Sequence, residues 1–265
     1  METSSQIVVD ARGLEKTYKE TRAVDGIDIT VRAGERVALL GPNGAGKTTT
    51  LFMLLGVLAP DSGTIDIVGR RLPKGRSQAM REVGFSAGYM PLAERLRVSE
   101  FLTMFGQLYG VDDPSSRIDA GLKLFGIQHL ASAMGNELSS GQRTLVGIVK
   151  ASLNEPRLLV LDEPTASLDP DIALKVRTGL RELCSEEGTA LLITSHNMVE
   201  IERLCERVIF LSAGKVIADD TPEAVAAQFG RGNLEDVFLE LADRADRAGK
   251  DPADFDRTQE TERPA

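Results

Sequence analysis

Apolar positions fall along the chain in two rhythms. In IVVDA (7–11), GIDITV (26–31) and GTIDIVG (63–69) they alternate with polar ones. A period of two puts them on one face of a strand, which predicts half-buried antiparallel strands near the N-terminus. RVALLG (36–41), RLLVLD (157–162) and TALLITS (189–195) are continuous apolar runs instead, as expected of parallel strands covered on both faces. RVIFLSAGKVIAD (207–219) supplies further strand material. Between about Tyr89 and Pro156 the strands stop. RVSEFLTMFGQLYG, SRIDAGLKLFGI and SGQRTLVGIVKASL carry apolar residues at helical spacing there, predicting a helical subdomain inserted over about 89–156. The whole reads as an α/β fold: a mixed, mostly parallel sheet, an N-terminal antiparallel β part and the helical insert. One domain is expected through about residue 240. From Asp243 onward Val, Ile, Leu and Met are absent, and such a segment buries too little surface to offset its ordering entropy. A disordered acidic tail is expected over 241–265.

Composition narrows the classes. The 265 residues are 42 % hydrophobic and 27 % charged, as in ordinary globular domains, and the formal net charge of −9 argues against a nucleic-acid partner. The N-terminal METSSQIVVDARG lacks a signal-peptide layout, and no apolar run approaches the roughly 18 residues of a membrane span. Any membrane role would come through a partner. Cys184 and Cys205 lack metal-ligand spacing and lie beside leucines, so buried reduced thiols are expected.

The chemistry starts at GPNGAGKT (41–48), between the apolar run RVALL and the helical run TTLFMLL. This is a phosphate-binding loop in its strand–loop–helix setting, the core of a P-loop NTPase. Gly41, Gly44 and Gly46 allow the tight turn, so that the loop, which also holds Pro42, Asn43 and Ala45, aims several backbone N–H groups inward. Lys47 brings a point charge to the β- and γ-phosphates, Thr48 a hydroxyl suited to Mg2+, and Thr49 continues the helix start. ATP and Mg2+ are the implied ligands.

RLLVLDEP places Asp162 and Glu163 at the carboxyl end of a strand, where open α/β sheets bind ligands. Asp162 suits the metal, directly or through water. Glu163 suits the role of general base toward an attacking water. TALLITSH ends the next apolar run with His196, placed to reach a γ-phosphate; His129, in GIQHLA, reads as structural.

A second glycine-bearing helix start follows, NELSSGQRT (136–144). Ser139 and Gln142 have capping-box spacing, and Leu145, Val146, Ile148, Val149 and Leu153 give the helix an apolar face. The tiny side chains at a helix N-terminus also suit close approach to an anion. Because one loop already cradles the nucleotide, a second anion site makes sense if it faces the nucleotide of another copy.

With these elements in order, the chain resembles the ATP-binding subunit of ATP-binding-cassette (ABC) transporters over about residues 7–220. The resemblance rests on Tyr18, GPNGAGKT, LSSGQ, RLLVLDEP, SLD (167–169) and His196. It implies a head-to-tail dimer holding two ATP molecules, each between one chain's phosphate loop and the other's LSSGQ. Tyr18 would stack on adenine. Ser139, Ser140, Gly141 and Gln142 would meet the opposite γ-phosphate, with Ser139 and Gly141 in contact. Asp169 would lie at the dimer seam, and His196 would steady the γ-phosphate and water. Two positions depart from the family: Ser140 stands where glycine is commoner, and Gly88 falls where a glutamine usually touches magnesium and water. LRVSEFLTMFGQLYGV, TSHNM (with Asn197 where importers commonly have Asp) and NLEDVFLELA resemble bacterial type-2 class exporters. The implied partner is a separate integral-membrane permease; Phe101, Phe105, Leu108 and Tyr109 could form part of a groove for it, and a core stripe of the helical subdomain is the alternative that explains most of them. The implied location is the cytoplasmic face of the membrane. A non-transport or regulatory cassette ATPase is the alternative.

Overall fold

The computed structural model describes residues 6–88, 92–165, 168–186 and 188–249. Its first sheet is antiparallel and uses β1 (Ile7–Tyr18), β2 (Thr21–Arg32), β4 (Ser62–Ile67) and β5 (Arg70–Arg71), in the order β2-β1-β4-β5. The second uses β3 (Arg36–Leu40), β6 (Val83–Ala87), β7 (Leu158–Asp162), β8 (Ala190–Thr194), β9 (Arg207–Ser212) and β10 (Lys215–Asp220). Its order is β10-β9-β3-β8-β7-β6, parallel except for the β9–β10 hairpin.

The continuous apolar runs are explained by two cores, one on each face of this second sheet. Val37, Leu39, Leu158, Val160 and Leu192 point into a core shared with the first sheet. Their neighbours Ala38, Leu40, Leu159, Leu161 and Leu191 point into a core built with helices. Strand geometry sends successive side chains to opposite faces, so both faces must be apolar. Helix α1 (Lys47–Leu54) sits in the first core through Leu51, Met53 and Leu54.

α2 (Arg76–Ala79) leads into β6. β6 is absent from the strands expected from the pattern. Its sequence, VGFSA, has no clean alternation because the strand lies at the sheet edge under a helix. A Cβ on Gly84 would lie 2.0 Å from the Ala151 carbonyl oxygen, so glycine is what lets the two backbones meet. Between β6 and β7 come α3 (Val98–Tyr109), α4 (Pro114–Leu124) and α5 (Ser140–Ser152), joined by short 3₁₀ turns. Leu102, Leu122, Leu145 and Ile148 from these helices join the same core as Leu159 and Leu161. Residues 89–91, where the insert was expected to begin, lie outside the described residues.

α6 (Pro170–Glu186), α7 (Met198–Leu204), α8 (Pro222–Gln228) and α9 (Leu234–Gly249) complete the chain. Cys184 and Cys205 are buried, as the sequence leads one to expect. The tail expected from residue 241 is corrected: α9 runs to Gly249. Leu234, Val237 and Leu241 recur on one buried face, and Arg244 pairs with Glu240 one turn back. Residues 250–265 lie outside the described residues.

Candidate nucleotide site

The phosphate loop owes its shape to close backbone contacts. Gly41 has φ 145° and Gly46 φ 103°, a region that side chains strain. A Cβ on Gly41 would lie 2.2 Å from the Leu211 carbonyl oxygen, and one on Gly46 would lie 2.4 Å from that of Ala23. The loop is thus wedged between the β9–β10 hairpin and the start of β2. Gly214 reinforces the wedge, donating to the Ala45 carbonyl at 3.2 Å and accepting from the Asp25 N–H at 2.8 Å. Asn43, Gly44 and Thr48 are exposed, Pro42 and Ala45 are buried, and Thr49 is half-buried. Lys47 Nζ folds back to the carbonyls of Gly41 (2.6 Å) and Pro42 (3.1 Å). Burial pulls this amine below its ordinary pKa, against the opposing fields of Glu163 and Asp162. β3, β8 and β7 are parallel neighbours in the sheet, so the loop after β3 and the end of β7 open on the same edge.

At that strand end Asp162 Oδ1 accepts from the Thr194 hydroxyl at 2.5 Å. Asp162 and Thr194 are register partners on β7 and β8, which is why the bond forms. Glu163 follows with φ 53°, left-handed for a residue with a Cβ. Its N–H reaches both the carbonyl and the hydroxyl of Thr194, each at 3.1 Å. The Glu163 carboxyl meets one residue twice: Oε2 accepts the His196 main-chain N–H at 3.2 Å, and Oε1 lies 3.0 Å from His196 Nε2. Burial raises the Glu163 pKa above the usual carboxylate range, while His196 counters it. A basic, half-buried carboxylate at this edge suits proton abstraction from water.

Gly88 bears directly on this geometry. Its N–H donates to the Asp162 carbonyl at 2.8 Å, and a Cβ there would lie 2.6 Å from the Glu163 carbonyl oxygen. Any side chain at 88 collides with the main chain of the proposed base.

Other expected site residues stand apart. Tyr18 is half-exposed at the end of β1, paired with Thr21 on the hairpin whose Ala23 touches the phosphate loop. Ser139 caps α5: its hydroxyl accepts the Gln142 N–H at 3.2 Å, and Gln142 Oε1 accepts the Ser139 N–H at 2.9 Å. Ser139 and Ser140 are exposed, while Gly141 is buried and a Cβ on it would lie 3.2 Å from Ile172 of α6. Among the described residues no hydrogen bond or ion pair joins 139–142 to the phosphate loop. Asp169 is exposed just before α6 and accepts the Ala173 N–H through its carbonyl; Ser167 lies outside the described residues.

A family model described as ABC transporter matches residues 24–166, from β2 through the Asp162–Glu163 pair. The chain belongs to the ABC transporter ATP-binding family. It is an ATP-hydrolysing cassette, the ATP-binding subunit of a transporter. The cassette is 39 % identical over 219 residues to a Nod factor export ATP-binding protein I of Burkholderia lata, covering 82 % of this chain and 72 % of the relative. A protein of the same name from Cupriavidus metallidurans is 34 % identical over 256 residues, covering 92 % and 84 %. Among solved structures, an ATP-binding subunit of an ABC transporter matches with TM-score 0.78 and 31 % identity, over 88 % of this chain and 99 % of that one. cbiO1 from Clostridium perfringens, part of the ABC transporter complex cbiONQ, matches with TM-score 0.76 and 29 % identity, over 92 % and 98 %.

The cassette uses residues that sequence reading passed over. Thr194 carries an ordinary strand-end hydroxyl until its register with Asp162 is known. Leu211 and Gly214 brace the loop through main-chain atoms, which no residue pattern advertises. For a divalent ion, Thr48 and Asp162 offer one hydroxyl and one carboxylate. No cluster of three His, Cys, Asp or Glu suited to a metal occurs among the described residues. This set fits Mg2+, which takes few protein ligands and completes its shell from phosphate oxygens and water.

Proposed function

We propose that this cassette energises an export permease as one half of a head-to-tail dimer. The exposed LSSGQ helix start, held in a capping box and joined to the phosphate loop by no hydrogen bond or ion pair among the described residues, supports a role toward a second copy. The relatives' name, Nod factor export ATP-binding protein I, supports export. Among the described residues no helix is long and apolar enough to cross a membrane. The match to transporter ATP-binding subunits supports a separate permease that does the membrane work, with the cassette at its cytoplasmic face.

Of the groove expected for that permease, Leu108 and Tyr109 are exposed and border a cavity of about 580 Å³ with Gln107, Arg76 and Met80. Phe101 is instead buried in the core and Phe105 packs against it, so those two support the groove wall.

In the proposed cycle Tyr18 stacks on adenine. The phosphate-loop amides and Lys47 hold the β- and γ-phosphates, and Ser139 and Gly141 of the second copy close on the γ-phosphate. Asp169 lies at the seam. Mg2+ held at Thr48 and Asp162 would offset phosphate charge. Glu163 takes a proton from water as the water oxygen bonds to the γ-phosphorus; the bond from that phosphorus to the bridging oxygen breaks, and ADP and inorganic phosphate leave. His196 steadies the γ-phosphate and the water.

The observation that carries this reading is the half-buried Glu163 carboxyl, held by His196 beside Lys47. Glu163→Gln keeps the shape and removes the base. Turnover is expected to fall by about 10²–10⁴ while ATP binding persists. Near-normal phosphate release by that variant would refute the assignment.

A further inference from the structure

Both Glu163 oxygens are engaged by His196, and the His196 imidazole has another neighbour. The ring of Phe238 meets it edge-to-face, with centroids 5.9 Å apart and planes at 74°. Phe238 belongs to α9, far along the chain from the strand ends that build the site. α9 is fixed firmly. Leu234, Val237 and Leu241 are buried in the helical core, and the Leu234 N–H donates to Glu202 Oε1 at 2.7 Å, tying it to α7. A continuous set of contacts therefore runs from the C-terminal helix through Phe238 and His196 to the general base.

We propose that Phe238 is a positioning residue that latches His196 onto Glu163 and still opposes its turn toward the γ-phosphate once ATP is bound, so that α9 restrains the basal ATPase. The proposal rests on the assignment of Glu163 as base. A carboxylate accepts a proton from water through a free lone pair, and Nε2 beside Oε1 occupies one. The same ring cannot steady a γ-phosphate while turned toward Glu163. Each contact that favours its present orientation therefore counts against release. The Phe238 contact depends on the ring, because edge-to-face pairing is a property of aromatic faces and edges. An aliphatic side chain of similar bulk keeps the packing of α9 and loses the latch.

The test compares full-length wild type, Phe238→Leu, Phe238→Tyr and Glu163→Gln without permease. Phe238→Leu is expected to raise kcat about two- to tenfold, the weight of one such ring contact, with KM for ATP unchanged. Phe238→Tyr keeps the ring and is expected to match wild type. Only two histidines are present, so their ring-proton NMR signals can be assigned with His129→Gln. Phe238→Leu is expected to shift the His196 signals and leave those of His129 in place. An unchanged or lowered kcat in Phe238→Leu, or a KM that moves as much as kcat, overturns the latch. If Phe238→Leu does not fold, Phe238→Met makes the same comparison. Glu163→Gln separates the two claims: fast turnover there refutes the base, whereas slow turnover there with wild-type kcat in Phe238→Leu refutes the latch alone.

Discussion

Glu163, the proposed base, sits where its charge is disfavoured. Burial raises its pKa above the ordinary value of 4.5, and the opposing pull of His196 and Lys47 leaves it raised. The base must be ionised to accept a proton. The acid limb of kcat/KM, which reports the nucleotide-free protein, is therefore expected to have its midpoint above pH 4.5. A stopped pH series of phosphate release measures it; a midpoint at or below that value would contradict the assignment. Linkage has the matching sign: the native carboxyl keeps its proton longer than the unfolded one, so its contribution to stability declines as pH rises from 4.5. Gly88 sets a second residue-scale constraint. Because a Cβ there meets the Glu163 carbonyl, restoring the family's glutamine cannot be neutral. Gly88→Ala is expected to lower kcat severalfold, and Gly88→Gln at least as much, with phosphate-loop binding of ATP retained. A Gly88→Gln variant as active as wild type would show that the strand ends yield freely.

At the scale of elements, α5 raises the question whether Ser139 is only a cap. Replacing an N-cap serine by alanine costs about 0.5–2 kcal/mol, whereas aspartate caps as well as serine does. Ser139→Asp is therefore expected to melt near wild type, yet to lose most ATP turnover, because its carboxylate would oppose a γ-phosphate. Melting curves beside turnover check this; full turnover in Ser139→Asp would reduce the residue to a structural cap. Elements also show what a sequence makes legible. β7 and β8 stand out because both faces are covered by separate cores, and the phosphate loop because its glycines are required by the carbonyls of Leu211 and Ala23. β6 was hidden because its fit against α5 depends on a missing side chain at Gly84. The contact of Phe238 with His196 and that of Gly88 with Glu163 join distant segments, so only the folded topology reveals them. The helical course of 241–249 was missed because its anchor, Leu241, stands at the very start of the polar stretch.

At the scale of the molecule, the proposed dimer gives one chain two halves of a site that, among the described residues, are joined by no hydrogen bond or ion pair. The phosphate loop, Asp162, Glu163 and His196 lie together, while Ser139–Gln142 present a capped helix start elsewhere on the surface. Composite catalysis by two copies accounts for both halves, since oligomers built on symmetry can pair one patch with its complement twice. Two broken chains decide the matter. Lys47→Ala lacks a working phosphate loop and keeps LSSGQ; Ser139→Asp has the reverse. Each alone is expected to be nearly inactive. Mixed in equal amounts, they should form dimers with one intact composite site, and ATP turnover should rise well above the sum of the two separate rates. A mixture no faster than that sum would contradict a site shared between copies.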